Sequence, residues 1–363
     1  MKRIAILDLY YGKSGKLGFY NSQAVGLGKA YSEMGYEVFI VRPEKDISEM
    51  KEQELEQGIS LLTVPAKVLG VHSFYNLDFL RQYKINLVHL NSDNQAYAPR
   101  VIEYCKKHSI PQYNYVGTLY SDSENKLKQF LMNFFSVRNI RYYKQSKTFV
   151  KTEHVLQMMK EKGIKNAKVV PVGLDFDVIP EIEATKEECR KSLGLPLEKK
   201  ILLYVGRLAE YKKPLDAISV LKKLPQEFEM VVIGTGELKE AFFKKAEQEE
   251  VNSRIQYIES IPNVEIHKYY RAADCFVNFN HQEIFGMSIL EAAYQQCPVV
   301  AKHAPGPDTI VKDGESGFLC NSIEEMCEKI LKITPDMGLK GKLRVKEQFS
   351  WEAASKAFLE DFS

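Results

Sequence analysis

Short apolar runs of about four to seven residues alternate with longer amphipathic stretches along the whole chain. The run 4–10 (IAILDLY) reads as a first strand, followed by a turn carrying Gly12, Gly15 and Gly18. The pattern predicts a helix over about 22–34 that ends at Gly35, then a second strand at 36–41 (YEVFIV). Further strands are expected at 86–90 (NLVHL), 112–116 (QYNYV) and 147–151 (KTFVK). The same rhythm restarts at 200–205 (KILLYV). Strands that alternate with helices imply parallel pairing through crossover helices. The fold class is therefore α/β, with a doubly wound parallel sheet in each half. The stretch 170–183, with two prolines and few helix formers, reads as the linker between the halves.

Two segments carry candidate chemistry. In 201–214 (ILLYVGRLAEYKKP) a strand-like run is broken by Gly206, and Arg207 and Lys212 precede a helix that begins at Pro214. Proline suits the first helical turn because its missing N–H would be unpaired there anyway. An Arg and a Lys at the carboxyl end of a parallel strand are placed to grip a diphosphate, the Arg bidentately and the Lys as a point charge. A solvated loop charge is the plainer reading of Arg207 alone. In 283–300 (EIFGMSILEAAYQQCPVV) Glu283 is expected on a loop at a helix start and Glu291 inside the helix. Free N–H groups and partial positive charge at a helix start suit a phosphate, and a carboxylate accepts hydrogen bonds from sugar hydroxyls. The plainer reading is a buried helix with two solvated glutamates.

Composition narrows the class. Net charge is only +2, so the chain as a whole is no polyanion binder. Hydrophobic content of 45% and charged content of 27% are those of an ordinary globular enzyme. No apolar run is long enough to span a bilayer. Met1-Lys2-Arg3 leads into a strand rather than a signal-peptide core. The six cysteines form no C-x-x-C pair, and they read as reduced core residues rather than a disulfide frame or zinc site. A cytoplasmic location is expected on these grounds.

The two segments together resemble the retaining GT-B glycosyltransferases of family 4, the glycosyl transferases group 1. Gly206-Arg207-Leu208 with Lys212, then Glu283 and Glu291 with seven residues between them, carry the resemblance. The stretches 231–242, 269–280 and 305–319 are similar as well, and the likeness is strong over about 170–363 and weaker before it. It implies two Rossmann-like domains facing across a cleft: 1–172 for the acceptor, 173–345 for the nucleotide sugar, and a final helix in 346–363 crossing back to the first. It implies transfer of a hexose or N-acetylhexosamine, with a UDP-sugar favoured, to a glycan or lipid-linked glycan in bacterial surface polysaccharide or glycoconjugate synthesis. Arg207, Lys212 and Glu283 would be catalytic. Gly206, Gly234, Gly236, Ile284, Phe285, Gly286, Met287 and Glu291 would bind the donor, Glu291 through its ribose. No metal and no other cofactor are implied, nor is a nucleic-acid partner. Two alternatives stay open: a non-catalytic partner subunit of a glycosyltransferase complex, and a GT-B sugar-nucleotide epimerase.

The chain departs from the family pattern in two places. A histidine common after the strand 112–116 is replaced by Gly117, followed by Thr118. His89, Asn91 and Asp93 are candidate substitutes, with a structural strand-end role as the other reading of His89. Asn280-His281 stands where a Pro-Ser pair would be usual before Glu283. The glycine turn does not have P-loop spacing, because Leu17 follows Lys16. By resemblance, Gly15 and Gly18 would face the cleft beside phosphates and acceptor, along with His89, Asn91 and Thr118. Finally, 125–147 holds six Lys or Arg and no acid, with Leu127, Phe130, Leu131, Phe134 and Phe135 at helical spacing. This is the profile of an interfacial helix on anionic lipid, which would place the protein at the inner face of the membrane. A core-facing helix with a basic back is the other reading.

Overall fold

The computed structural model describes residues 2–11, 23–120, 126–360 and 362, with the side chains of 126–132 and 135 left out. Two compact units are present. The first comprises residues 1–175 and 350–363, and the second 176–349.

In chain order the first unit runs β1 (Lys2–Asp8), α1 (Gln23–Glu33), β2 (Tyr36–Glu44), β3 (Lys51–Glu56), β4 (Ile59–Leu69), β5 (His72–Tyr75) and α2 (Phe79–Gln82). It continues with β6 (Leu87–Asn91), α3 (Ala98–Lys107), β7 (Gln112–Val116), α4 (Lys126–Tyr143), β8 (Lys147–Val150), α5 (Glu153–Glu161) and β9 (Ala167–Val169). The strand order is β3-β4-β2-β1-β6-β7-β8-β9, with β5 paired to β4. Strands β2, β1, β6, β7, β8 and β9 pair in parallel, and β4 joins β2 in parallel. The pairs β3–β4 and β4–β5 are antiparallel, and the hydrophobic pattern gave no sign of either hairpin. Residues Ile4 to Leu7 of β1 are all fully buried, as expected of a strand covered on both faces.

The second unit runs α6 (Lys186–Leu193), β10 (Lys200–Val205), α7 (Pro214–Lys223), β11 (Phe228–Ile233), α8 (Lys239–Gln248), β12 (Ile255–Ile258), α9 (Asn263–Ala272) and β13 (Cys275–Asn278). It ends with α10 (Met287–Tyr294), β14 (Val299–Lys302), α11 (Pro305–Ile310), β15 (Gly317–Cys320), α12 (Ile323–Ile330) and α13 (Pro335–Gln348). Its six strands are all parallel in the order β12-β11-β10-β13-β14-β15. The connections reverse direction between β10 and β13, which makes that pair the switch point, where open α/β sheets bind ligands at the carboxyl ends of their strands. The chain then returns to the first unit through α14 (Trp351–Leu359). Trp351 packs where a side chain on Gly26 would collide with it, and Phe358 stacks on Tyr113 at 5.1 Å.

Candidate functional site

The loops after β10 and β13 meet at the switch point of the second sheet. After β10 the chain turns at Gly206, makes a short 3-10 turn over Glu210–Lys212, and enters α7 with Pro214 in its first turn. Lys213 between them has φ 49°, a left-handed conformation that β-carbon residues adopt at a cost. This turn aims Lys212 at the other loop. Its Nζ lies 2.5 Å from Glu283 Oε2, and the side chains are only 21% and 13% exposed. Arg207 is by contrast 68% exposed, with Glu237 at 3.7 Å as its ion-pair partner. The two cations expected to act together thus differ: one is held in a half-buried pair, the other stands in solvent.

Glu283 is held by more than Lys212. Asn280 Nδ2 donates to the same Oε2 at 3.2 Å, and Asn278 Nδ2 lies 3.5 Å from it. Both carboxamides are themselves fixed. Asn278 Oδ1 accepts the Asn280 N–H at 3.0 Å, and Asn280 Oδ1 accepts the Gln282 N–H at 2.9 Å. With their oxygens taken by backbone donors, the two amides can present only N–H toward Glu283. Three donors therefore fall on Oε2, while Oε1 has no partner among the described residues. Sequence reasoning missed Asn278 altogether and met Asn280 only as a departure from the family pattern. Nothing in the linear sequence distinguishes an asparagine that cradles a carboxylate from one that caps a strand.

Glycines shape the rest of the site. Gly234 has φ 138°, and a Cβ there would lie 2.0 Å from the Gly206 carbonyl oxygen. A Cβ on Gly236 would lie 2.4 Å from that of Leu208. The turn after β11 is thereby pressed against the turn after β10, and Leu208 N–H and Thr235 O bond across the seam at 3.1 Å. Gly306, at the start of α11, approaches Phe285 so closely that a Cβ would meet its carbonyl oxygen at 1.9 Å. Its N–H donates to Glu283 O at 2.9 Å, so α11 braces the glutamate loop from behind.

Helix α10 starts after Gly286, whose φ of 97° makes the sharp entry. The N–H groups of Met287 and Ser288 have no carbonyl inside the helix to bond, whereas those of Ile289 and Leu290 donate to Gly286 O at 3.0 and 3.2 Å. Ile284 is 37% exposed at this mouth and Phe285 is 5% exposed beneath it. Glu291 lies on the helix as expected but is only 4% exposed, and Tyr270 donates to its Oε2 at 3.1 Å. Burial and the adjacent carboxylate push the Tyr270 hydroxyl well above the ordinary phenol range. Tyr204, whose hydroxyl donates to Arg207 O at 3.1 Å, is raised mainly by burial. His281 is exposed on the loop before Glu283.

In the first unit the residues marked by sequence have other surroundings. Gly15 and Gly18 lie outside the described residues. His89 is 1% exposed, with Nδ1 2.7 Å from the Tyr113 hydroxyl and Nε2 3.1 Å from Asn91 Oδ1. That is a buried strand-end hydrogen-bonder, without an open face to line. The Thr118 hydroxyl donates to Tyr120 O at 2.8 Å. A Cβ at Gly117 would meet Lys151 Cδ at 2.8 Å and Asp93 Oδ1 at 3.1 Å. Lys151 and Asp93 pair at 3.0 Å, and the Gly117 N–H donates to Asp93. The space that a larger residue would need at 117 is filled by this pair.

Residues 185–346 match the family model of glycosyl transferases group 1, which is less than half of the chain but nearly all of the second unit. Among curated proteins, the chain is 22% identical to the alpha-monoglucosyldiacylglycerol synthase of Acholeplasma laidlawii, over 92% of this chain and 89% of that one. It is 27% identical to the D-inositol 3-phosphate glycosyltransferase of Xylanimonas cellulosilytica, over 54% of this chain, and spans half the length of that relative. Among solved structures, Anabaena HepE in complex with UDP and glucose superposes with a TM-score of 0.73 at 16% identity, covering 100% of this chain and 99% of that one. The fold is GT-B, two parallel-sheet α/β domains.

Proposed function

We propose that the protein is a retaining, metal-independent glycosyltransferase that uses a nucleoside-diphosphate sugar, with a UDP-sugar favoured. One observation carries this reading. The matched glycosyl transferases group 1 segment contains, at the switch point of its sheet, a cation and a carboxylate brought together from 71 residues apart. An ammonium has three N–H donors, so Lys212 can keep Glu283 and still donate to a phosphate oxygen. Arg207, in solvent on the neighbouring turn, adds a second cation. Preorganised positive charge beside a departing diphosphate is the kind of stabilisation that dominates such transfers. The open Oε1 of Glu283 accepts a hydroxyl of the sugar. The buried carboxylate of Glu291 serves the ribose, through a rearrangement of its bond to Tyr270. The acceptor in this reading is a glycan or glycolipid hydroxyl in surface polysaccharide or glycolipid synthesis, in line with the diacylglycerol named in the Acholeplasma relative.

The membrane belongs to the same reading. Among the described side chains of helix α4, Ser136 and Asn139 are each 1% exposed and Tyr143 sits in the core, whereas Phe134 is 70% and Val137 57% exposed. Ser136 donates to Leu119 O at 2.6 Å and Asn139 to Gln95 O at 3.0 Å, so the inward face is fastened by hydrogen bonds. The outward face, with exposed Arg138 and Arg141 beside Phe134 and Val137, suits an anionic lipid surface. No described helix is long and apolar enough to cross a membrane.

The test is to incubate the protein with UDP-, ADP- and GDP-sugars and follow donor consumption. A transferase hydrolyses one donor slowly and faster with acceptor, giving an α-linked product from an α-linked donor. An epimerised donor, or no consumption of any, would overturn the reading.

A further inference from the structure

The first unit contains a chain of hydrogen bonds that the transferase reading leaves unused. Asn91 Nδ2 donates to Asp8 Oδ1 at 2.8 Å. His89 Nε2 lies 3.1 Å from Asn91 Oδ1, and His89 Nδ1 lies 2.7 Å from the Tyr113 hydroxyl. The Tyr113 hydroxyl pairs in turn with that of Tyr31. Burial pushes His89 down to about 3, so its imidazole is neutral at physiological pH.

Each proton in the chain follows by elimination. Asn91 turns its amide nitrogen to Asp8 Oδ1 and its oxygen to His89. Asn91 Oδ1 then requires Nε2–H on the histidine. A neutral imidazole has one donor, so Nδ1 accepts from the Tyr113 hydroxyl, which accepts from Tyr31. Every donor points the same way, and the chain ends on Asp8. Hydrogen bonds lined up in a low-dielectric interior reinforce one another.

Asp8 differs from the groups that orient it. Tyr31, Tyr113 and His89 are at most 1% exposed, whereas Asp8 is half-buried at the carboxyl end of β1. Beside β1 lies β6, and the connections reverse direction between these two strands, so Asp8 marks the switch point of the first sheet. Only its Oδ1 receives a hydrogen bond, and Oδ2 has no partner among the described residues. Arg42, Lys151 and Asp93 are the charged groups that act on it.

We propose that Asp8 binds a hydroxyl of the acceptor substrate through Oδ2, with Asn91, His89, Tyr113 and Tyr31 as its positioning residues. The ligand class is an alcohol, of a sugar or a glycerolipid, that donates its O–H to a fixed carboxylate oxygen. The proposal rests on the transferase reading and adds to it the acceptor contact in the first unit. Asp8 is the binding residue; the other four act only through it.

Full-length protein is assayed with UDP-glucose as donor and two acceptor probes, diacylglycerol in anionic mixed micelles and a soluble glucose disaccharide. Asp8→Asn keeps an oxygen for Asn91 but turns the open acceptor into a donor. Its kcat/KM for the acceptor should fall about 10- to 100-fold, the scale of one hydrogen bond to a charged group. Its UDP affinity by calorimetry should be unchanged. Tyr113→Phe keeps the ring packing and removes the donor to His89, which frees the chain to reverse. It should raise the acceptor KM more than it lowers kcat, again with UDP affinity unchanged, and it gives the same reading should Asp8→Asn fail to fold. Wild-type acceptor kinetics in both variants, or a parallel loss of UDP affinity, would overturn the role of Asp8 alone. A wild-type protein that consumes no sugar nucleotide overturns the transferase reading and this inference with it.

Discussion

A carboxylate with one saturated oxygen and one open oxygen is a directional group, and Glu283 is built that way. Replacing Asn280 by Asp would set a second carboxylate against Oε2. Asn280→Asp should relax discrimination between UDP-glucose and UDP-galactose, and calorimetry should find UDP affinity largely retained; unchanged discrimination would assign the asparagine to loop structure alone. Lys212→Ala and Arg207→Ala should each lower turnover by about 100-fold or more, the scale of one lost donor to developing charge. The exposed Arg207 should give no change in thermal unfolding, whereas Lys212→Ala leaves Glu283 without its cation and should destabilise the second unit as well. Near-wild-type turnover in both would remove the diphosphate clamp. Lys212 and Glu283 were legible in the sequence as separate candidates. Their direct pairing was not, because contact between two loops 71 residues apart depends on strand order, which no local pattern encodes. Asn278, only five residues from Glu283, was missed for a different reason: the linear sequence does not tell a carboxylate-cradling asparagine from a strand-end one.

Elements were legible where burial follows a period. Strands β1, β2, β6, β7, β8 and β10 coincide with the predicted strand runs because a parallel strand covered on both faces is mostly apolar, with the buried polar exceptions His89, Asn114 and Thr148. The hairpin strand β3 was not visible: Lys51–Glu56 is KEQELE, mostly exposed, and a strand only because it lies along β4 at the sheet edge. Charged residues on such an edge discourage pairing with other chains. Helix α4 allowed two readings from its spacing, an interfacial helix and a core-facing one. Among its described side chains Tyr143 lies in the core and Ser136 and Asn139 bond inward, while Phe134 is exposed. Cosedimentation with anionic vesicles should therefore be lost on Phe134→Ser with Arg138→Gln and Arg141→Gln, and wild-type binding should weaken with salt, each basic residue contributing about 1 kcal/mol near the surface. Wild-type protein that ignores anionic vesicles at low salt would make α4 purely structural.

At the scale of the whole molecule, each unit carries one buried histidine that resists protonation: His89 is pushed down to about 3 and His267 to about 4, both by burial. Between those values and the unfolded value near 6.5 the unfolded chain binds more protons than the folded one. Stability should be flat above about pH 6.5 and fall below it, by up to about 1.4 kcal/mol per pH unit for each histidine. Asp8, raised by burial, acts with the opposite sign, contributing stability at low pH that is lost as pH rises above the unfolded carboxylate value. Urea midpoints at pH 7.5, 6 and 5 test this, and equal midpoints at all three would contradict it. The return of the chain through Trp351 and Phe358 sets an order of events during synthesis. Residues 176–349 form a continuous segment and can close on themselves once they have left the ribosome. The earlier-made unit is completed only when α14 arrives, bringing the indole that fills the space beside Gly26. A nascent chain stalled before residue 350 should thus show a protease-resistant second half and a protease-sensitive first half, so that the part of the protein translated first is the last to become native.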